Sequence, residues 1–158
     1  CNAILYAVDH NAKIINLSLG GNDYAGYANA IQYAKDHDVL VVMAAGNSGG
    51  TSPLNPAAYA KQFSNCLAVG ALKINSNDTL SMSSFSNQAG TSTEFGFLDA
   101  AGEGVIGYLN GGSAASWSGT SMAAPLVTAS AALLWSANAS ASATQIAQIL
   151  AQTSHNVI

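Results

Sequence analysis

A chain of 158 residues has room for one domain or a large part of one, and this one is 49% hydrophobic but only 8% charged, where about a quarter of a soluble domain normally carries charge. A net charge of -4 with only four Lys and Arg leaves no basic patch to neutralise phosphates, which argues against nucleic-acid binding. No apolar run approaches the ~20 residues that a membrane span needs.

The opening Cys1-Asn2-Ala3-Ile4-Leu5 lacks the basic n-region and cleavage site of a signal peptide. It reads as the middle of an amphipathic helix, so the chain is expected to begin inside a fold. Ile4, Leu5 and Val8 stand at helical spacing, and Asn11 suits a C-terminal cap. Ile14 to Leu19, closed by Gly20-Gly21, is short and apolar and fits a buried strand. Tyr27, Ala30, Ile31 and Ala34 recur at i, i+3, i+4 and i+7, as in a helix with one core face. Val39-Leu40-Val41-Val42-Met43 is β-branched and runs into Ala44-Ala45-Gly46-Asn47, which favours a buried parallel strand. Cys66 to Leu72 is a third strand candidate.

From Asn75 to Gly112 the chain is rich in Ser, Asn, Gly and Thr. It reads as loops with short strands around Met82–Phe85 and Val105–Leu109. A helical pattern returns from Ser121 to about Trp135. A last helix carries Ile146, Ile149 and Leu150 on one face, with Ser142 and Gln145 spaced as a capping box. Alternating strand and helix in the first half argue for an α/β fold with a parallel sheet. Such sheets carry their functional loops at the carboxyl ends of the strands. Ser18 and Asn47 fall there.

The two cysteines are sparse. Cys66 reads as a small buried hydrophobe in a strand; a disulfide to Cys1 is the second possibility, which sequence spacing does not test. With no C-x-x-C pair and three scattered His, a zinc site is not expected.

Chemistry concentrates in two segments. Ser118-Gly119-Thr120-Ser121-Met122-Ala123-Ala124-Pro125 opens an alanine-rich helix straight after a loop. A serine there sits among unpaired N–H groups and at the positive end of the helix dipole, which favours negative charge developing beside its hydroxyl. Small neighbours leave room for a substrate backbone. A serine before a helix more often simply caps it. Asn47, just past a strand and flanked by Gly46 and Gly49, can donate its amide to an oxyanion or serve as a turn residue.

Gly119-Thr120-Ser121-Met122-Ala123-Ala124-Pro125 resembles the nucleophile motif of the subtilase family. Ala44-Ala45-Gly46-Asn47 resembles its oxyanion-hole motif, and Ile14-Ile15-Asn16-Leu17-Ser18-Leu19-Gly20 the strand bordering its substrate cleft. Order and spacing agree over nearly the whole chain. The resemblance implies a three-layer, doubly wound, mostly parallel α/β sheet of subtilisin-like type, incomplete at its N-terminal side. Residues 1–158 would be the C-terminal part of a single catalytic domain.

It also implies roles. Ser121 would attack the scissile carbonyl, with the Asn47 amide and the Ser121 N–H holding the oxyanion. Ser18, Leu19 and Gly20 would pair with an extended protein or peptide substrate and wall its first specificity pocket. Ala44, Ala45 and Gly46 would form the opposite wall, and Thr120 would belong to the same cleft. Small walls suggest an open apolar pocket that prefers a hydrophobic residue before the scissile bond. No cofactor is expected of this chain. Calcium stabilises many members of the family, but no Asp cluster here resembles a calcium loop. An extracellular or cell-surface location fits both the family and a surface polar through Ser, Asn and Gly.

There are departures. After Pro125 the family usually continues with His, a small residue and Gly, whereas this chain reads Leu126-Val127-Thr128-Ala129. The family's catalytic His and Asp segments are also absent. His10 and His37 read as surface turn residues, His155 lies in a terminal tail, and Asp9, Asp23 and Asp99 lack the family context. The chain alone is therefore expected to be inactive, with the triad's other members upstream. It should pack against that missing part of the domain, and alone should be only partly folded or poorly soluble because of an open sheet edge. Two rivals are weighed. The G-x-S-x-G elbow of α/β-hydrolases needs a hydrophobic strand leading into the serine, where Gly112-Ser113-Ala114-Ala115-Ser116 stands instead. A subtilase-like module kept for binding, without catalysis, is the other alternative.

Overall fold

The computed structural model describes residues 1–91 and 96–154. At its centre lie the two most apolar runs of the sequence. β2 (Leu40–Ala44) is buried at every position, and β3 (Cys66–Ile74) is buried as far as Leu72. They run parallel, in register Val41 to Cys66 through Ala44 to Val69. β1 (Ile14–Leu17) lies parallel on the outer side of β2.

On the far edge of β3 runs β5 (Phe97–Ala101), also parallel. The short β4 (Leu80–Met82) pairs antiparallel with the end of β3. Leu72 pairs with both Met82 and Ala101, so β4 and β5 flank opposite edges of β3, with β4 on the β2 side. A separate hairpin, β6 (Val105–Tyr108) with β7 (Ala114–Trp117), leads into the long helix.

Strand pleating sorts the buried side chains onto two faces. Leu40, Val42, Leu67 and Val69 pack under α3 (Thr120–Ala137) and α4 (Ala143–Thr153). Val41, Met43, Cys66 and Ala68 pack under α1 (Asn2–Asp9), α2 (Gly26–Asp36) and a 3-10 turn, Ala57–Lys61. Helices on both faces of a mostly parallel sheet make the three-layer, doubly wound α/β arrangement that the sequence predicts. Each fully buried aliphatic side chain here contributes about 1.5–3 kcal/mol, which is why both faces of β2 must be apolar.

Helix ends follow local chemistry. Asn11 and Asp38 adopt left-handed φ of 62° and 56° just past α1 and α2. In each case the next residue's N–H reaches back five positions, Ala12 to Ala7 at 3.0 Å and Val39 to Ala34 at 2.9 Å. This is a Schellman closure. Ser142 and Gln145 form the expected capping box. The Asp38 carboxylate also accepts the Ala143 N–H at 2.7 Å, tying the α2 end to the α4 start.

Some expectations need correction. The first strand ends at Leu17, not Leu19, and the strand near Met82–Phe85 is Leu80–Met82. β5 and β7 fall in stretches read as loop. At 18 residues, α3 is nearer membrane-span length and apolarity than expected. It packs along β1, β2, β3 and β5, with Ala123, Ala124, Val127, Ala131 and Trp135 buried, as a core helix does. Cys66 is buried and both cysteines are free thiols. Burial pushes the Cys66 thiol far above its ordinary pKa, so it is inert.

Asp99 interrupts the apolar face of β5 opposite Gly70. A Cβ on Gly70 would overlap its carboxylate. One carboxylate oxygen is buried and finds no hydrogen-bond partner among the described residues. Burial raises the group from its ordinary 3.8 to about 6.

Candidate active site

The carboxyl ends of β1 and β2 and the start of α3 meet at one place. β1 delivers Ser18, β2 delivers Gly46 and Asn47, and α3 opens on Thr120 and Ser121. The cap position of α3 is Gly119, with no side-chain capping bond. Ser121 is therefore not a cap: it is the second residue of the helix, and its hydroxyl is directed away from the helix backbone.

The cap of α3 is supplied from outside. The Asn47 Oδ1 accepts the Thr120 N–H at 2.8 Å and the Thr120 hydroxyl at 2.9 Å. Thr120 Oγ1 in turn accepts the Gly46 N–H at 3.1 Å. These bonds fix the amide's orientation. A backbone N–H can only donate, so the Asn47 atom facing Thr120 must be the carbonyl oxygen. Nδ2 then points the other way, past Gly119. A Cβ on Gly119 would lie 3.2 Å from that nitrogen, and its φ of +155° is one that side chains rarely adopt. Thr120 is fully buried, with its hydroxyl against Asn47 and the Gly46 N–H.

Ser121 is held by a reciprocal pair. Ser18 Oγ donates to the Ser121 carbonyl at 2.9 Å, and Ser121 Oγ donates to the Ser18 carbonyl at a long 3.3 Å. The Ser121 hydroxyl is only loosely held and half-buried. Its own N–H belongs to the first helical turn, which has no intrahelical acceptor. Behind Ser18 a polar chain continues. Asn16 Nδ2 donates to Ser18 Oγ at 2.9 Å, and Thr128 Oγ1 lies 3.1 Å from Asn16 Oδ1 and 3.0 Å from the Ala124 carbonyl. Thr128 is one of the departures from the family pattern, and it faces the β1 end.

The remaining cleft candidates divide. Leu19 is half-exposed and Gly20 exposed. Ala44 and Ala45 are buried, Ala44 in the core under α3. The Ala45 carbonyl accepts the Leu54 N–H at 2.8 Å. Sequence reasoning missed Leu54. Its side chain lies against both Gly20 and Gly46: Cβ atoms built there would come within 3.5 and 2.8 Å of it. It stands between the two segments read as pocket walls.

Neither described histidine is near this place. His10 and His37 follow α1 and α2, and each ring Nδ1 donates to a helix carbonyl, Tyr6 and Tyr33, at 2.8 Å. Those helix ends feed the amino ends of β1 and β2, whereas Ser18 and Asn47 leave the carboxyl ends, about 13 Å away along a four-residue strand. His155 lies outside the described residues. Asp9 and Asp23 accept the hydroxyls of Tyr33 and Tyr59 at 2.7 and 2.9 Å. Among the described residues no group of three or more His, Cys, Asp or Glu is arranged to hold a metal ion.

Comparison with known proteins points the same way. The model of the Subtilase family matches residues 1–157. Thermitase of Thermoactinomyces vulgaris is 41% identical over 142 residues, 89% of this chain and 47% of that protein. The thermophilic serine proteinase of Bacillus sp. (strain AK1) is 38% identical over 157 residues, 99% of this chain and 36% of that protein. Among solved structures, the self-cleaved protease domain of PatA is 32% identical with a TM-score of 0.81, over 98% of this chain and 58% of that one. Sphericase is 32% identical with a TM-score of 0.82, over 94% and 52%. The chain thus spans about a third to a half of the curated relatives it matches. By its family match, its relatives and its fold, this chain belongs to the subtilase family.

Proposed function

We propose that the protein is a serine endopeptidase whose nucleophile is Ser121. The observation that carries this reading is the convergence of a loosely bonded serine hydroxyl with an Asn47 amide turned outward by Thr120. Ser121 Oγ adds to the scissile carbonyl carbon while its proton passes to a base. The carbonyl π electrons move onto oxygen, and the Asn47 Nδ2 and the Ser121 N–H donate to that oxyanion. Collapse expels the amine with the proton, leaving an acyl ester on Ser121 that water hydrolyses. The base and its orienting carboxylate come from residues other than those described, since His10 and His37 sit at the opposite end of the sheet. Ser18, Leu19 and Gly20 run past the nucleophile as the strip along which an extended peptide pairs. With Leu54 standing between the walls, the residue before the scissile bond is expected to be small, in contrast to the open pocket that the small wall residues alone suggest. An extracellular or surface location fits a chain whose polarity is Ser, Asn and Gly more than charge.

The test is a fluorophosphonate probe on the full-length protein. Labelling of the wild type that disappears in Ser121→Ala supports the reading. Equal labelling of both proteins would overturn the nucleophile assignment, and no labelling of either would favour a non-catalytic module.

A further inference from the structure

Asn47 sits in an exposed loop, and one of its two anchors is Thr120. The other is Asn87, which holds the loop on either side of Asn47. Asn87 is almost fully buried, and its side chain is spent on the loop carrying Asn47. Its Oδ1 accepts the Ser48 N–H at 2.9 Å, the Ser48 hydroxyl at 3.0 Å and the Gly50 N–H at 3.3 Å. Its Nδ2 donates to the Ser52 carbonyl at 2.9 Å, and its backbone N–H donates to the Gly46 carbonyl at 2.9 Å. Bonds thus land on the residues immediately before and after Asn47. The glycines of the loop fit the same purpose: a Cβ on Gly50 would lie 3.0 Å from Asn87 Nδ2, and one on Gly46 would lie 3.3 Å from Asn87 Cγ. The loop closes over the Asn87 amide.

We infer that Asn87 is a positioning residue for the oxyanion donor, holding the 46–52 loop so that Asn47 Nδ2 stays aimed at the developing charge. The inference rests on the proposed role of Asn47. Donor and acceptor are both required of residue 87. A carboxylate there would face the Ser52 carbonyl with no proton to give, and a serine is too short to bridge Ser48 and Ser52. Because the loop's contribution is made to the transition state, its loosening lowers kcat and leaves KM nearly unchanged.

The test is a double-mutant cycle in the full-length enzyme, with kcat and KM on a peptide substrate and with folding checked by thermal unfolding. Asn47→Gly alone is expected to lose ~10²–10³ in kcat. Asn87→Ser alone is expected to lose ~10–100-fold in kcat, with KM changed less than about twofold. In the Asn47→Gly background, Asn87→Ser should cost less than about twofold, because the donor it positions is gone. Equal losses in both backgrounds, or a rise in KM at constant kcat, overturn the inference while leaving the function intact. An Asn47→Gly variant with undiminished kcat overturns the oxyanion assignment itself. Should Asn87→Ser fail to fold, Ser48→Ala at the exposed end of the clamp decides: a kcat loss that vanishes without Asn47 supports the inference, and no loss overturns it.

Discussion

Asp99 should make this protein more stable in mild acid than at neutral pH. Its folded-state pKa is raised from 3.8 to about 6 by burial, and one of its oxygens has no hydrogen-bond partner among the described residues. Between about pH 4 and 6 the folded state therefore holds a proton that the unfolded state has released. Stability then falls as pH rises through that window and levels off above it. A shift of about two units corresponds to about 3 kcal/mol at ~1.4 kcal/mol per unit. Solvent reaches the rest of the carboxylate, which screens the effect to about 2 kcal/mol. The assay is urea unfolding of the full-length protein at several values from about pH 4.5 to 8, in a Ser121→Ala background to prevent self-digestion. Asp99→Asn keeps the shape and removes the charge, so it should flatten this part of the pH profile and raise the midpoint at neutral pH. If wild type and Asp99→Asn share the same slope between about pH 4 and 6, the desolvation argument is wrong.

Other substitutions test the site and its frame. Thr120→Val leaves the Gly46 N–H without an acceptor and Asn47 Oδ1 with one hydrogen bond from residue 120 instead of two; it should cost about 1–3 kcal/mol in denaturant unfolding and lower kcat several-fold with little change in KM. Unaltered turnover in Thr120→Val would mean that the hydroxyl does not hold the amide. Gly46→Ala forces a side chain onto a φ of +112° and against Leu54, at a cost of about 1–3 kcal/mol. Adding Leu54→Ala should relieve the clash but not the backbone strain, so only partial recovery is expected. Ser142→Ala removes the capping-box acceptor of α4 and should lower stability by about 1 kcal/mol, with activity unchanged.

The parts of the fold legible in sequence are those whose reasons are local. β2 reads plainly because both of its faces are covered, which demands the unbroken Leu40–Met43 run. α1 and α2 read plainly because one face is buried and a residue tolerant of positive φ follows each. β5 is different: Asp99 breaks its apolar pattern, and it is a strand because the edge of β3 offers parallel partners from Ala68 to Leu72. β7 is Ala-Ala-Ser-Trp, with little strand preference of its own, and it forms by pairing with β6 across a glycine turn. Nothing within β5 announces its distant partner, and nothing within β7 announces a strand.

The site divides along the same line. Motif resemblance picks out Ser121, Asn47 and Ser18, but not what holds them. Local rules offer Ser121 as a cap for α3, and it does not serve, because the acceptor for the first helical N–H arrives from Asn47, 73 residues away in the chain. That single arrangement has two consequences. It frees the Ser121 hydroxyl from the capping duty that most serines at helix starts perform. It also commits the Asn47 oxygen to the helix, which leaves its Nδ2 free of that bond. Thr128 makes the complementary case. As a departure from the family register it suggests only altered packing, yet it reaches Asn16, which holds Ser18 against Ser121. The placement of Ser121 beside Asn47 therefore depends on two clamps, one through β2 and one through β1, and a substitution in either should move the serine relative to the Asn47 amide.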